Sequence, residues 1–135
     1  MTLIKKVKVK PKIGEVEKGE VYRYWIWKHE AVGTEIKKEK RLGVIILTDK
    51  LNEWDKRFVI IPLTSKKLGE IYRYEVHTFV DSKNGKALID QVKTIDKKRL
   101  LKKLGQLTEK EMDAIQEKLL GIFDLWEYLK KRELV

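Results

Sequence analysis

At 135 residues, with 31 Lys and Arg against 21 Asp and Glu and a formal charge of +10, the chain fits a single domain whose surface attracts polyanions, although a plain lysine-rich solubilised surface has the same balance. It has no cysteine, which excludes disulfides, thiol catalysis and thiolate zinc sites together. No apolar run approaches the roughly 20 residues that span a bilayer, and the opening Met-Thr-Leu-Ile-Lys-Lys-Val-Lys-Val-Lys lacks a signal peptide's apolar stretch, so no membrane and a cytoplasmic home are expected.

The chain begins with a basic stretch, residues 1–18, in which Val7-Lys8-Val9-Lys10 alternates as a half-buried strand does before Pro11 and Gly14 interrupt it. It reads as an edge strand or a loose arm. Glu20-Val21-Tyr22-Arg23-Tyr24-Trp25-Ile26-Trp27 is a firmer strand, rich in aromatic and β-branched residues. Alternation sends at least one aromatic face inward, and Trp25 is assigned to the core. Residues 28–40 lose periodicity and read as a loop. Gly43-Val44-Ile45-Ile46-Leu47 and Arg57-Phe58-Val59-Ile60-Ile61-Pro62-Leu63 are continuous apolar runs, the pattern of strands buried on both faces. Pro62 has no N–H for a ladder, so the second of these should end or bulge there.

Residues 70–80 alternate as a further strand. A turn at Ser82-Lys83-Asn84-Gly85 follows, since an Asn-Gly step supplies the positive φ that tight hairpins need. Lys86-Ala87-Leu88-Ile89-Asp90-Gln91-Val92 reads as a strand carrying an inward-reaching Asp90–Gln91 pair. Asp96 can cap a short basic helix over residues 97–103, with Gly105 as its stop. Thr108 and Glu111 form a capping box. Beyond it Met112, Ile115, Leu119, Ile122, Trp126 and Leu129 recur at three- and four-residue steps along one long helix, a stripe assigned to the core. Lys and Glu dominate while Asn and Gln are scarce, as in hyperthermophile proteins. Short strands in series with one closing helix predict a mainly β (α+β) fold, a small bent β-barrel with helices at its edge.

The order of residues 85–107, Asp90-Gln91, then the basic segment, then Gly105, resembles the closing third of the MazF/PemK family, the mRNA endoribonuclease toxins of toxin–antitoxin pairs. Pro62-Leu63-Thr64 matches the Pro-x-Thr setting in which that family ends a strand. Arg41-Leu42-Gly43-Val44-Ile45-Ile46-Leu47 matches the arginine that opens a Val/Leu-rich strand, with Leu42 in place of the family's proline. Gly33-Thr34-Glu35 resembles the Gly-Ser-Glu of the preceding loop, one residue further from Arg41 than the pattern has it, so Lys40 is a second candidate for the arginine's place. The resemblance spans residues 19–125, leaving 1–18 and 126–135 as additions within one domain of 135 residues. It implies an SH3-like or CcdB-like barrel with a short basic helix and a long C-terminal helix, a homodimer, and a separate antitoxin whose acidic tail fills the RNA groove.

RNA carries its own nucleophile, the 2′-hydroxyl, so such a site needs a phosphate-directed cation, a donor beside it and a base groove, with no cofactor or metal. Arg41 is assigned as a bidentate phosphate clamp and Thr64 as the hydroxyl donor to a non-bridging oxygen. Glu35 is assigned to orient the substrate or accept a proton. Lys40, Ser65, Lys66, Lys67 and Gln91 are assigned to single-stranded RNA contact. Each has an ordinary reading too: surface cations, a turn hydroxyl bonding its own backbone, and an amide satisfying the barrel. His29 and His77 are too isolated for a two-histidine ribonuclease site. The expected function is a metal-independent endoribonuclease leaving 2′,3′-cyclic phosphate and 5′-hydroxyl ends. The alternative is a non-catalytic nucleic-acid-binding barrel, and a third reading is the same fold acting on a protein target.

Overall fold

The computed structural model describes residues 16–26, 39–46 and 57–133. Glu35, Trp27, His29 and most of the expected arm lie outside the described residues. Seven strands form one antiparallel sheet: β1 (Glu20–Ile26), β2 (Glu39–Ile45), β3 (Arg57–Thr64), β4 (Glu75–Val80), β5 (Lys83–Leu88), β6 (Lys93–Asp96) and β7 (Leu100–Gln106). Their order is β4-β5-β3-β2-β1-β7, with β6 also on β3. Helices α1 (Glu109–Ile122) and α2 (Leu125–Lys131) close the chain. The fold is mainly β, a curled half-barrel sheet with C-terminal helices. The curl brings its two ends together at Gly105 of β7, where a Cβ would lie 2.7 Å from Val80 Cγ2 of β4.

Both faces of the central strands are covered, as their continuous apolar runs require. One face packs Val21, Val44, Ile61, Leu63, Ala87 and Ile89 against Met112 and Ile115 of α1. The other gathers Tyr22, Tyr24, Ile45, Phe58, Ile60 and Ile95. The core aromatics of β1 are therefore Tyr22 and Tyr24; Trp25 is only half-buried, on the other side of the pleat, with Lys40 Nζ 5.2 Å from its ring centre.

β3 does not stop at Pro62. It runs on to Thr64 because the missing N–H falls where nothing pairs. Val59 accepts from Ile46 N–H on the β2 side, so even-numbered β3 residues point the other way. There β6 ends opposite Ile60 and β5 begins opposite Leu63, leaving Pro62 beside a gap.

Four further expectations are corrected by long-range pairing. Residues 100–106 form strand β7 along the edge of β1, and the expected basic helix shrinks to one 3-10 turn, Lys97–Arg99. Asp96 still caps that turn, accepting from Lys98 N–H at 2.9 Å. Gly105 pairs with Val21 and is no helix stop. The β4–β5 hairpin turns at Asp81 and Ser82, whose φ values of 56° and 60° supply the positive angles, so Asn84-Gly85 lies inside β5. Ile89–Gln91 is a second 3-10 turn, and Asp90 and Gln91 are exposed rather than inward. β4 starts only at Glu75, because residues 70–74 turn to approach it.

The C-terminal helix is two helices, broken at Asp124 with φ 56°. The capping box is present in full: Glu111 N–H donates to Thr108 Oγ1 at 3.1 Å and Thr108 N–H to Glu111 Oε1 at 2.8 Å. Glu111 Oε2 also accepts from Phe79 N–H at 2.7 Å, fastening the start of α1 to β4. The apolar stripe packs on the core through Ile122, with Met112 and Ile115 buried and Leu119 and Ile122 half-buried against the same cluster; Phe123, Leu125, Trp126 and Tyr128 are exposed.

Candidate active site

Strand β2 begins at Glu39, so Arg41 lies within it and takes its place from register. β2 and β3 pair Gly43 with Pro62 and Leu42 with Leu63. One further step of the same register sets Arg41 opposite Thr64. Leu42–Leu63 is a hydrogen-bonded pair by the parity argued for Pro62, which makes Arg41–Thr64 a non-hydrogen-bonded one. In such pairs the Cα atoms are about 4.5 Å apart and the side chains lie closest. Arg41 also pairs with Tyr24 of β1, Thr64 with Lys86 of β5, and Lys86 with His77 of β4. The result is one row across five strands, Tyr24–Arg41–Thr64–Lys86–His77, on the sheet face away from α1.

Each member has a distinct state. Tyr24 is buried and ends the row in the core. Arg41 is exposed, and its Nη2 lies 3.3 Å from Glu39 Oε1 in an ion pair that is itself exposed. Such a pair contributes about 0–1 kcal/mol and gives way readily to a phosphate. Thr64 Oγ1 accepts from Lys66 N–H at 3.2 Å, which leaves its O–H to donate outward. Lys86 is buried and paired with Glu75 at 2.8 Å. That contact, with the Tyr72 N–H, holds the Glu75 carboxyl below the usual range despite its burial. His77 is exposed and shares a hydrogen bond of 3.1 Å with Asn84 Oδ1.

Ser65, Lys66 and Lys67 follow Thr64 in an exposed turn, with Lys67 at φ 55°. They share Thr64's end of β3. Lys40 is on the opposite side of the pleat from Arg41, over Trp25, so of the two candidates it is Arg41 that shares Thr64's face. Gln91 is exposed in the 3-10 turn that joins β5 to β6. Glu35 lies outside the described residues. Sequence reading passed over Lys86, which nothing in Lys83-Asn84-Gly85-Lys86-Ala87-Leu88 sets apart from the exposed Lys83.

The family model for PemK-like, MazF-like toxins of type II toxin–antitoxin systems matches residues 17–123. The chain belongs to that toxin family. Solved structures agree on the fold. A mycobacterial endoribonuclease in complex with its cognate antitoxin aligns at 20% identity over 83% of this chain and 96% of that one, with TM-score 0.63. MazF in the MazE–MazF complex of Deinococcus radiodurans aligns at 17% identity over 82% and 97%, with TM-score 0.66. The Mycobacterium tuberculosis toxin MazF-mt6 aligns at 18% identity over 76% and 96%, with TM-score 0.57. In this toxin-family frame, the match spans all seven strands and α1, including both members of the Arg41–Thr64 pair.

Proposed function

We propose that this toxin-family protein is an endoribonuclease that cuts single-stranded RNA by transesterification at the Arg41–Thr64 pair. What supports the reading is that Arg41 and Thr64 flank the paired Leu42 and Leu63 on one sheet face, an exposed guanidinium and a hydroxyl at the same end of the β2–β3 ladder. The +10 net charge supports a polyanionic substrate.

In the reaction the RNA 2′-oxygen forms a bond to phosphorus and the bond from phosphorus to the 5′-oxygen breaks. The 2′-hydroxyl proton leaves to a base, and the departing 5′-oxygen takes up a proton from solvent. The products are a 2′,3′-cyclic phosphate and a 5′-hydroxyl. Arg41 clamps two phosphate oxygens with parallel N–H bonds, and Thr64 donates to a non-bridging oxygen as negative charge builds on it. Neither residue needs to change protonation state, and RNA supplies its own nucleophile, so the chemistry needs no metal. Glu35 is assigned to the 2′-proton on family resemblance. Ser65, Lys66 and Lys67 hold the flanking phosphates.

The mycobacterial endoribonuclease–antitoxin complex and the MazE–MazF complex support a separately encoded antitoxin as this protein's partner, an acidic segment competing with RNA for the same basic face. A homodimer is the assembly proposed.

The test is incubation of the purified protein with a long RNA in EDTA, followed by primer extension and end-group analysis. Discrete breaks with cyclic-phosphate ends, missing in Thr64→Ala, are expected. Intact RNA at every enzyme level, with salt-dependent binding alone, overturns the nuclease reading in favour of a binding module.

A further inference from the structure

The turn after Thr64 has a few exposed bonds of its own, Lys66 N–H to Thr64 Oγ1 at 3.2 Å, Glu70 N–H to Lys67 O at 3.5 Å and Tyr72 O–H to Glu70 Oε1 at 2.8 Å. Ser65, Lys66, Lys67, Gly69 and Glu70 are exposed, and Leu68 is only half-buried. Lys67 sits at φ 55°, a region that a lysine adopts only under outside constraint. That constraint comes from across the strand pair. Lys86 is opposite Thr64 and only 3% exposed, yet it carries a charge. Its Nζ donates to Lys67 O at 3.0 Å and Glu70 O at 3.0 Å, and lies 2.8 Å from Glu75 Oε1. An ammonium has three donors, and these three acceptors satisfy them. The Tyr72 ring covers the group at 5.3 Å, while Glu75 is held in place by Tyr72 N–H at 2.9 Å.

We propose that Lys86 is a positioning residue of the RNA-cutting site, a buried ammonium that locks the 65–70 turn and thereby aims the Thr64 hydroxyl at the scissile phosphate. The inference rests on the nuclease reading for its catalytic consequence. Its route is explicit. Fixing Lys67 O and Glu70 O fixes the turn, which fixes Lys66 N–H. That N–H occupies one lone pair of Thr64 Oγ1, which fixes the side-chain rotamer and narrows the directions open to the O–H. Lys86 need not touch RNA. With no charge here, the turn carbonyls lose their common donor, the Thr64 rotamer averages, and Lys67 leaves its constrained φ.

The experiment compares wild type, Lys86→Met, Thr64→Val and the double variant. Cleavage of a short RNA is followed at saturating enzyme, and anisotropy gives the affinity for the same strand with a 2′-deoxy block at the cut site. Lys86→Met should lower the cleavage rate about 10- to 100-fold, and binding of the blocked strand by no more than about threefold. In the Thr64→Val background the same change should cost less than about threefold, because Lys86 acts through Thr64. Full multiplication of the two losses, or an unchanged rate in Lys86→Met, overturns the proposal.

Amide hydrogen exchange supplies a readout independent of cleavage. Exchange at Lys66 and Glu70 should rise at least about tenfold in Lys86→Met while α1 stays protected; unchanged protection in the turn refutes the lock. If wild type cuts no RNA, the nuclease reading fails and the exchange result still decides the structural claim. If Lys86→Met does not fold, Glu75→Gln, which removes one anchor's charge but keeps its shape, takes its place, with the same directions and smaller sizes.

Discussion

Removing Arg41 and Thr64 separately and together tests whether they grip one phosphate. Thr64→Val keeps the side chain's shape and removes the only hydroxyl proton, so it should lower the cleavage rate about 10²–10³-fold, the usual cost of one transition-state donor. Arg41→Ala removes a charged clamp and should cost at least as much. Stability should hardly move. Arg41's recorded partner is the exposed carboxylate of Glu39 at 3.3 Å, and Thr64 gives up one exposed hydrogen bond at 3.2 Å. Each is a contribution of about 1 kcal/mol or less. If the two groups grip one phosphorane they are coupled, so once one is gone the other can no longer act fully. The double variant should therefore fall short of the product of the single losses by about tenfold or more, equivalent to about 1.4 kcal/mol of coupling. Single-turnover cleavage of a fluorogenic oligonucleotide reads all four proteins, with thermal melting as the control. Losses that multiply, or an Arg41→Ala protein cutting at the wild-type rate, refute the shared-phosphate geometry.

Thr108→Ala should destabilise the fold by about 1 kcal/mol, and Glu111→Ala by more, since Glu111 serves both the cap and Phe79 N–H; urea unfolding compares them. Ile115→Ala, at a fully buried position between α1 and the sheet, should cost about 2–5 kcal/mol in the same assay. Gly85→Ala would place a Cβ 2.9 Å from Thr64 O, a backbone atom, so it should lower cleavage out of proportion to its effect on melting. The Glu75 carboxyl is held below its ordinary value first by the Lys86 hydrogen bond, so the folded state favours its charged form. The stability this gives is complete above the unfolded value, near 4.5, and is lost as pH falls through the lower folded one. Melting temperature in wild type should decline over that acid range, and the Glu75→Gln protein should lack that part of the decline.

What the sequence disclosed follows the range of the forces involved. The capping box spans four residues and was legible as letters. The runs at Val44–Ile45 and residues 58–63 announced burial on both faces, which the two hydrophobic clusters bear out. β7 was illegible for the opposite reason. Leu100-Leu101-Lys102-Lys103-Leu104 has good helical propensity, a few tenths of a kcal/mol per residue, and it yields to the ladder offered by the open edge of β1. The hairpin was misplaced by two residues because Asn84-Gly85 is the stronger local turn signal, while Gly85 is wanted for its small size against Thr64 O. The last helix breaks at Asp124, which takes the positive φ itself three residues after Gly121, so the glycine does not mark the break.

The same distinction explains why only Arg41 and Thr64 of the row proposed as the site were singled out from the sequence. Tyr24, Arg41, Thr64, Lys86 and His77 come one from each of five strands, and only register sets them in a row. A register slip of one residue anywhere along it would turn that strand's member to the α1 face, into the packing of Leu42, Leu63, Ala87 and Val76. The apolar core therefore holds the site in place: the strands cannot slide without burying a charge. Arg41 and Thr64 could be proposed from the sequence because a family pattern supplied that register in advance. Lys86, which the pattern did not single out, became visible only once β5 lay against β3, with its ammonium buried beneath the turn that Thr64 begins.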